Sequence, residues 1–258
     1  MSDVAQPITY PPAITVEDFA RNLDAVQARI ARAAARAGRD PRSVRLLPVS
    51  KTVAEDRLRN AVAAGYHRLG ENKVQEAKRK SENLADLDVS WAVVGHLQTN
   101  KARDVAAFAA EFQALDSLRL AEALDRRLQA AGRSLDVFVQ VNTSGEESKY
   151  GLSPDEVLAF LAALPRFETL RVQGLMTLAL FSSDLERVRA CFVRLRTLRD
   201  RARDTDPDLI GPGELSMGMS GDFEVAIDEG ATCVRVGQAL FGSRAPRYDE
   251  AHYWPSGT

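Results

Sequence analysis

One pattern limits the possible folds more than any other: along residues 44–236, short β-branched or apolar runs alternate with longer stretches of helical periodicity. Eight such runs predict strands at 44–50, 67–70, 90–95, 112–116, 135–142, 167–174, 213–216 and 232–236. A helix between successive strands returns the chain to the same end of the sheet, which makes the strands parallel. No linker rich in Gly, Pro or Ser divides the repeats, and neither G-x-G-x-x-G nor G-x-x-x-x-G-K-[ST] occurs to mark a doubly wound sheet. The nearest string, Gly211-Pro212-Gly213-Glu214-Leu215-Ser216, reads as a loop entering the seventh strand. The expected fold is α/β, a single (β/α)8 TIM-type barrel.

An extra helix precedes the barrel. Thr15 and Asp18 form a capping-box start, Phe19, Leu23, Val26 and Ile30 recur at helical spacing, and Gly38 ends the run. Before it, residues 1–14 carry Pro7, Pro11 and Pro12 without periodicity and are expected to form a mobile lead. The barrel is expected over 15–246, with 247–258 as a tail. Ser153-Pro154-Asp155-Glu156 predicts a capped helix start, and Leu185, Val188, Phe192, Leu195 and Leu198 mark one helix face turned to the sheet.

Composition narrows the function. Hydrophobic residues at 45% of 258 suffice for a large core, and a net charge of −2 gives no field to attract nucleic acid or an acidic membrane. Two cysteines, Cys191 and Cys233, and three histidines, His67, His96 and His252, supply neither a disulfide framework nor a zinc spacing. No signal peptide or apolar run of membrane-spanning length is visible, so the expectation is a cytoplasmic, metal-free protein.

In such a barrel the active site is built where strands end. Lys51 is one of only six lysines and alone directly follows an apolar strand, Leu46-Leu47-Pro48-Val49-Ser50. Partial desolvation there lowers an amine's pKa and suits Schiff-base chemistry; the alternatives are a stem lying along the strand end or a pairing with a nearby carboxylate. Gly218-Met219-Ser220-Gly221 and Gly237-Gln238 each precede a helix, in the region where barrels commonly bind phosphate, or else serve only as tight turns. Lysine plus phosphate site narrows the ligand to a sugar phosphate or pyridoxal phosphate. Arg235 either points into the mouth, where it would keep a pyridine nitrogen unprotonated, or pairs with Glu229 or Asp228.

Six strings in order, Pro48-Val49-Ser50-Lys51-Thr52, Gly70-Glu71-Asn72-Lys73-Val74-Gln75-Glu76, Gly95-His96-Leu97-Gln98-Thr99-Asn100-Lys101, Gly174-Leu175-Met176, Ser216-Met217-Gly218-Met219-Ser220 and Val234-Arg235-Val236-Gly237, resemble the pyridoxal phosphate homeostasis protein family over about residues 17–244. The resemblance implies a barrel like the N-terminal domain of alanine racemase, holding pyridoxal 5'-phosphate as a Schiff base on Lys51. It further implies phosphate contacts at Ser220, Gly237 and Gln238, Arg235 facing the pyridine nitrogen, and Asn72, His96, Met176 and Met219 lining the pocket. Asn142 and Lys149 lie in family-like strings without an assigned task. The implied function is intracellular homeostasis of this cofactor and its delivery to apoenzymes, by a monomer or weak dimer with no catalytic residues of its own. The alternative is a fold-type III amino-acid racemase or decarboxylase. That chemistry needs a second acid/base, which alanine racemase takes from an added domain and which His252 or Tyr253 would have to supply here. A Schiff-base aldolase fits the lysine and phosphate site but not the six strings.

Overall fold

The computed structural model describes residues 9–243. After α1 (Val16–Arg36), the chain runs β1 (Arg45–Pro48), α2 (Glu55–Ala63), β2 (Arg68–Glu71), α3 (Val74–Asn83), β3 (Ser90–Val93), α4 (Ala102–Phe108), β4 (Glu111–Leu115) and α5 (Leu118–Ala131). It continues through β5 (Leu135–Gln140), α6 (Val157–Ala163), β6 (Leu170–Met176), α7 (Leu185–Thr205), β7 (Glu214–Ser216), α8 (Phe223–Asp228), β8 (Cys233–Val236) and α9 (Gln238–Phe241). The eight strands form one parallel sheet in the order β1-β8-β7-β6-β5-β4-β3-β2. Its two ends meet through a parallel bridge between Val49 and Gly70, and the Ser50 N–H donates to the Gly70 carbonyl at 2.9 Å. The barrel therefore closes one residue before Lys51. A side chain at position 70 would press on Leu47 at 3.3 Å, so glycine lets the two strands approach.

Two kinds of interior follow from strand alternation. Residues facing outward pack with the helices into the main apolar core, among them Phe112, Val137, Leu215 and Val234 against Phe192, Leu195 and Phe223. Residues facing inward are polar at the floor, where the strands begin: Arg45 reaches Glu111 at 3.0 Å and Glu214 at 3.4 Å across the barrel, and Arg171 meets Asp136 at 2.8 Å. Above this floor lies a small apolar layer of Leu47, Ala92 and Cys233.

The Thr15–Asp18 capping box opens α1 as expected. Three details differ from the sequence reading. The sixth strand begins at Leu170 and runs to Met176, because Leu164–Arg166 forms a 3-10 turn around Pro165 and places Phe167 before the strand. The capping box at Ser153 opens a 3-10 turn, Pro154–Glu156, and the α-helix starts only at Val157. Leu185 is 50% exposed: it is the first residue of α7, while Val188, Phe192, Leu195 and Leu198 are buried. Among the described residues no helix is long and apolar enough to cross a membrane, and no cluster of three His, Cys, Asp or Glu side chains has metal-binding geometry. The expected tail at 247–258, with His252 and Tyr253, lies outside the described residues.

Candidate functional site

Lys51 leaves β1 half-buried, and the backbone on both sides of it is held by one buried charge network. Lys80, on the inner face of α3 with Val74 and Ala77, has no exposed surface; its Nζ donates to the Ser50 carbonyl at 2.9 Å and to Glu71 Oε1 and Glu76 Oε1 at 2.7 Å each. Ser50 Oγ donates to the same Glu71 oxygen at 2.6 Å. On the other side of Lys51, the Thr52 N–H donates to Glu76 Oε1 at 2.8 Å. Thr52 has φ of 67°, the left-handed region that β-branched residues avoid. Such strain persists only where the surroundings overdetermine it, and it sits here beside the expected reactive amine. Burial pushes the Glu71 carboxyl above its ordinary value, while Lys80 and Ser50 pull it down. Its Oε2 is buried without a hydrogen-bond partner.

A cleft of about 270 Å³ opens beside Lys51 and is lined by Thr52, Val53, Arg57, Gly237, Gln238 and Ser243, among others. Two of the expected phosphate residues, Gly237 and Gln238, thus share a cavity with the lysine. Ser220 joins them through the neighbouring loop, its Oγ accepting the Gly237 N–H at 3.3 Å. The α8 and α9 helices are only six and four residues long, so this corner offers N–H and hydroxyl donors rather than a substantial helix dipole. Met219 has its N–H occupied by Asp222 Oδ1 at 2.5 Å, and burial pushes the Asp222 carboxyl up. Gly218 permits the close packing of α8: with φ of 93°, it would set a Cβ 2.6 Å from Ala226 Cβ.

Arg235 lies in the barrel interior two residues before Gly237 and is 4% exposed. Its guanidinium donates through one terminal nitrogen to Ser216 Oγ and through the other to the Thr177 carbonyl, both at 2.7 Å. The pairing with Glu229 or Asp228 does not occur: Glu229 binds Arg189 and Arg196, and Asp228 faces Arg36. Arg235 is thus a buried cation with no directly paired carboxylate among the described residues, and its Nε makes no hydrogen bond there. Burial lowers its pKa, with Asp222 and Glu111 acting in the opposite direction. A ligand that accepts a hydrogen bond and carries negative charge fits this arrangement.

The remaining expected pocket residues are more dispersed. Met176 is fully buried at the end of β6, beside Gln140 and Ser216 in register. Asn72 is half-buried, and its carbonyl would lie 2.1 Å from a Cβ at position 95, which explains the glycine before His96. His96 stands toward the other side of the mouth, stacked on Tyr150 with ring centroids 3.8 Å apart and its Nδ1 3.5 Å from Asp116. Of the expected site residues, Lys51, Gly237 and Gln238 line the cleft; Asn72, His96, Met176, Met219, Ser220 and Arg235 do not. Asn142 holds its own loop by donating to the Glu146 carbonyl, and Lys149 donates to the Ala179 carbonyl at 2.9 Å. The sequence reading assigned no task to Thr52 or Glu76, though both stand in family-like strings, nor to Lys80 or Gln113. Lys80 had a legible signal, a lysine three residues beyond Ala77 on the apolar face of α3.

The barrel with a lysine at the end of its first strand defines a class: the family model described as alanine racemase, N-terminal domain, matches residues 21–245. Within that class, pyridoxal phosphate homeostasis proteins of Pseudomonas aeruginosa and Escherichia coli are respectively 44% and 38% identical to this chain. The first alignment covers 88% of this chain and 96% of the relative, the second 89% and 98%. The chain belongs to the pyridoxal phosphate homeostasis protein family. Among solved structures, PipY of Synechococcus elongatus with PLP bound is 36% identical, with a TM-score of 0.77 over 87% of this chain and all of its own. An alanine racemase of Clostridium difficile, at 17% identity and a TM-score of 0.69, shares the fold; the alignment covers 95% of this chain and 61% of the racemase.

Proposed function

We propose that this protein captures pyridoxal 5'-phosphate on Lys51 and serves its intracellular homeostasis and delivery without efficient turnover of amino acids. The observation that carries this reading is the single cleft joining Lys51 to Gly237 and Gln238, with Ser220 bonded to Gly237 and the unpaired cation of Arg235 two residues away. The PLP-bound structure of a relative supports the same ligand. When bound, pyridoxal phosphate supplies an aldehyde that an amine captures reversibly. Lys51 is the amine for that capture, and the strained Thr52 turn with the Lys80 network keeps it oriented. Ser220, which accepts from the Gly237 N–H and keeps its own O–H to donate, is the donor for the phosphate, and Gly237 and Gln238 border it. Arg235 donates only, so it favours an unprotonated ring nitrogen. Asn72, His96, Met176 and Met219 complete the proposed pocket, within a cofactor-binding unit that spans 15–246.

The low turnover proposed here rests on the relatives' role in homeostasis and is put to the test below. Arg57 is committed to the Ala13 and Phe241 carbonyls at 2.8 and 2.6 Å. In this reading the protein acts in the cytoplasm as a monomer or weak dimer and passes the cofactor to apoenzymes.

The test is to add pyridoxal phosphate, record the visible band, reduce with borohydride and map the labelled peptide. One cofactor on Lys51 is expected, and labelling of another lysine instead would sink the reading. Chiral chromatography over the common amino acids should give a Lys51-dependent turnover below about one per second, against roughly 10 per second for a median enzyme. Faster turnover would make the protein a racemase.

A further inference from the structure

The inward faces of four strands form a hydrogen-bonded column through the barrel. It starts at the expected ring-facing arginine and ends at the floor. Arg235 on β8 donates to Ser216 Oγ on β7 at 2.7 Å; Ser216 donates to Gln113 Oε1 on β4 at 2.7 Å; Gln113 Nε2 donates to Glu111 Oε1 at 2.5 Å. Arg45 on β1 then meets Glu111 at 3.0 Å. Ser216 and Gln113 have no exposed surface, and Glu111 and Arg235 are almost fully buried. Every donor in the column above Glu111 points toward the floor. That uniform direction is not required by packing: an apolar layer, already begun by Leu47, Ala92 and Cys233, would fill the same space without the cost of burying polar groups.

We infer that Gln113, Ser216 and Glu111 are positioning residues that fix one terminal nitrogen of Arg235, with the Thr177 carbonyl fixing the other, and so aim its remaining N–H donors, the Nε–H among them, at the cofactor's ring nitrogen. Gln113 presents its carbonyl to Ser216 because its amide is held by Glu111. Ser216, having donated to Gln113, is left as an acceptor and can receive Arg235. The Thr177 carbonyl takes the other terminal nitrogen, and the Thr177 hydroxyl is itself fixed by donation to the Val141 carbonyl at 2.8 Å. Each terminal nitrogen therefore makes one bond before any ligand arrives, which fixes the plane of the guanidinium. Glu111, itself paired with Arg45 and Arg68, ends the column, and together with Asp222 it favours the charge on Arg235 across space. The column thus lets residues toward the barrel floor set how Arg235 meets the ring nitrogen.

This inference rests on the proposed binding of pyridoxal phosphate, and its test separates the two. The ligands are pyridoxal phosphate and its 1-deaza analogue, in which the ring nitrogen is replaced by C–H. Affinities are followed by absorbance, beside the thermal midpoint of the ligand-free protein. The wild type should prefer pyridoxal phosphate by about tenfold or more, the expected effect of one hydrogen bond from a charged donor. Ser216→Ala and Gln113→Leu should bring that ratio close to one while Lys51 still forms the borohydride-fixed adduct. Ser216→Thr, which restores the hydroxyl, should recover it. Glu111→Gln keeps shape and an acceptor but removes the charge; it should lower the ratio and is read alone if the other two variants fail to fold. An unchanged ratio in the folded variants overturns the inference, as does a wild-type ratio near one. In both cases the Lys51 reading survives. Failure of the wild type to bind pyridoxal phosphate removes both proposals.

Discussion

The two sides of the barrel mouth are built differently. On the side of β1 and β2, the residues flanking Lys51 are tied to Lys80, Glu71 and Glu76, and Lys80 and Glu71 are without exposed surface. On the side of β3 and β4, His96 leans on Tyr150, which is 54% exposed, and its contact with Asp116 is long at 3.5 Å. One side is braced from beneath by buried charge and the other is covered by an open ring stack. A buried ion network loses much when one member is removed, whereas an exposed contact of this kind loses little. The bracing therefore marks where a side chain must be held in one place, and it falls on the amine.

Lys80→Met should break this contrast most severely. It leaves two carboxylates without their buried cation, at a cost of about 3–5 kcal/mol in urea unfolding. Adding Glu71→Leu should recover part of the stability but not the capture of cofactor by Lys51, because the carbonyl and hydroxyl of Ser50 remain without their partners. Full recovery of capture in the double variant would show the bracing to be dispensable. Next in size, Ser220→Ala should weaken pyridoxal phosphate binding about tenfold or more, since a hydrogen bond to a charged group contributes roughly 1.5–3 kcal/mol. Equilibrium dialysis checks this, and equal affinity for unphosphorylated pyridoxal would remove the phosphate corner.

A smaller effect tests the braced side through pH. Burial holds the Glu71 carboxyl above its ordinary 4.5, so the folded state keeps that proton to higher pH than the unfolded chain does. The associated stability is present below the unfolded value and is lost as pH rises through the folded one. Relative to Glu71→Gln, the wild type should lose stability across a window beginning near pH 4.5, measured by unfolding at closely spaced pH values; a constant difference would refute the shift. Smallest of all, His96→Ala should change stability by less than about 0.5 kcal/mol, as for an exposed site. A large loss of cofactor retention in that variant would give the open side an equal part in binding.

Several of these features were legible in the residues. Lys51 was visible because a lysine directly after five apolar or small residues is unusual, and the glycines at 218 and 237 because close turns require them. The Thr15–Asp18 box and seven of the strand positions rested on local pattern alone. The shifted sixth strand was less legible, since Phe167 is apolar enough to extend a strand pattern and only the turn at Pro165 excludes it. Lys80 and Gln113 were passed over for a different reason: a charged or amide side chain reads as solvent-facing until its partners are known.

Periodicity by itself determined that this chain builds eight parallel strands with helices outside, because the alternation of short apolar runs and helical stretches leaves few other ways to bury both faces of a sheet. It also determined which residues stand at the strand ends, since strand order and direction follow from the repeat. Only the tertiary structure decided which of those residues meet. Closure of β1 on β2 places Ser50 over Lys80, and inward-facing positions on β4, β7 and β8, more than a hundred residues apart at the extremes, become hydrogen-bond neighbours. A hydrogen bond depends on distance and direction in space, to which separation along the chain gives no guide.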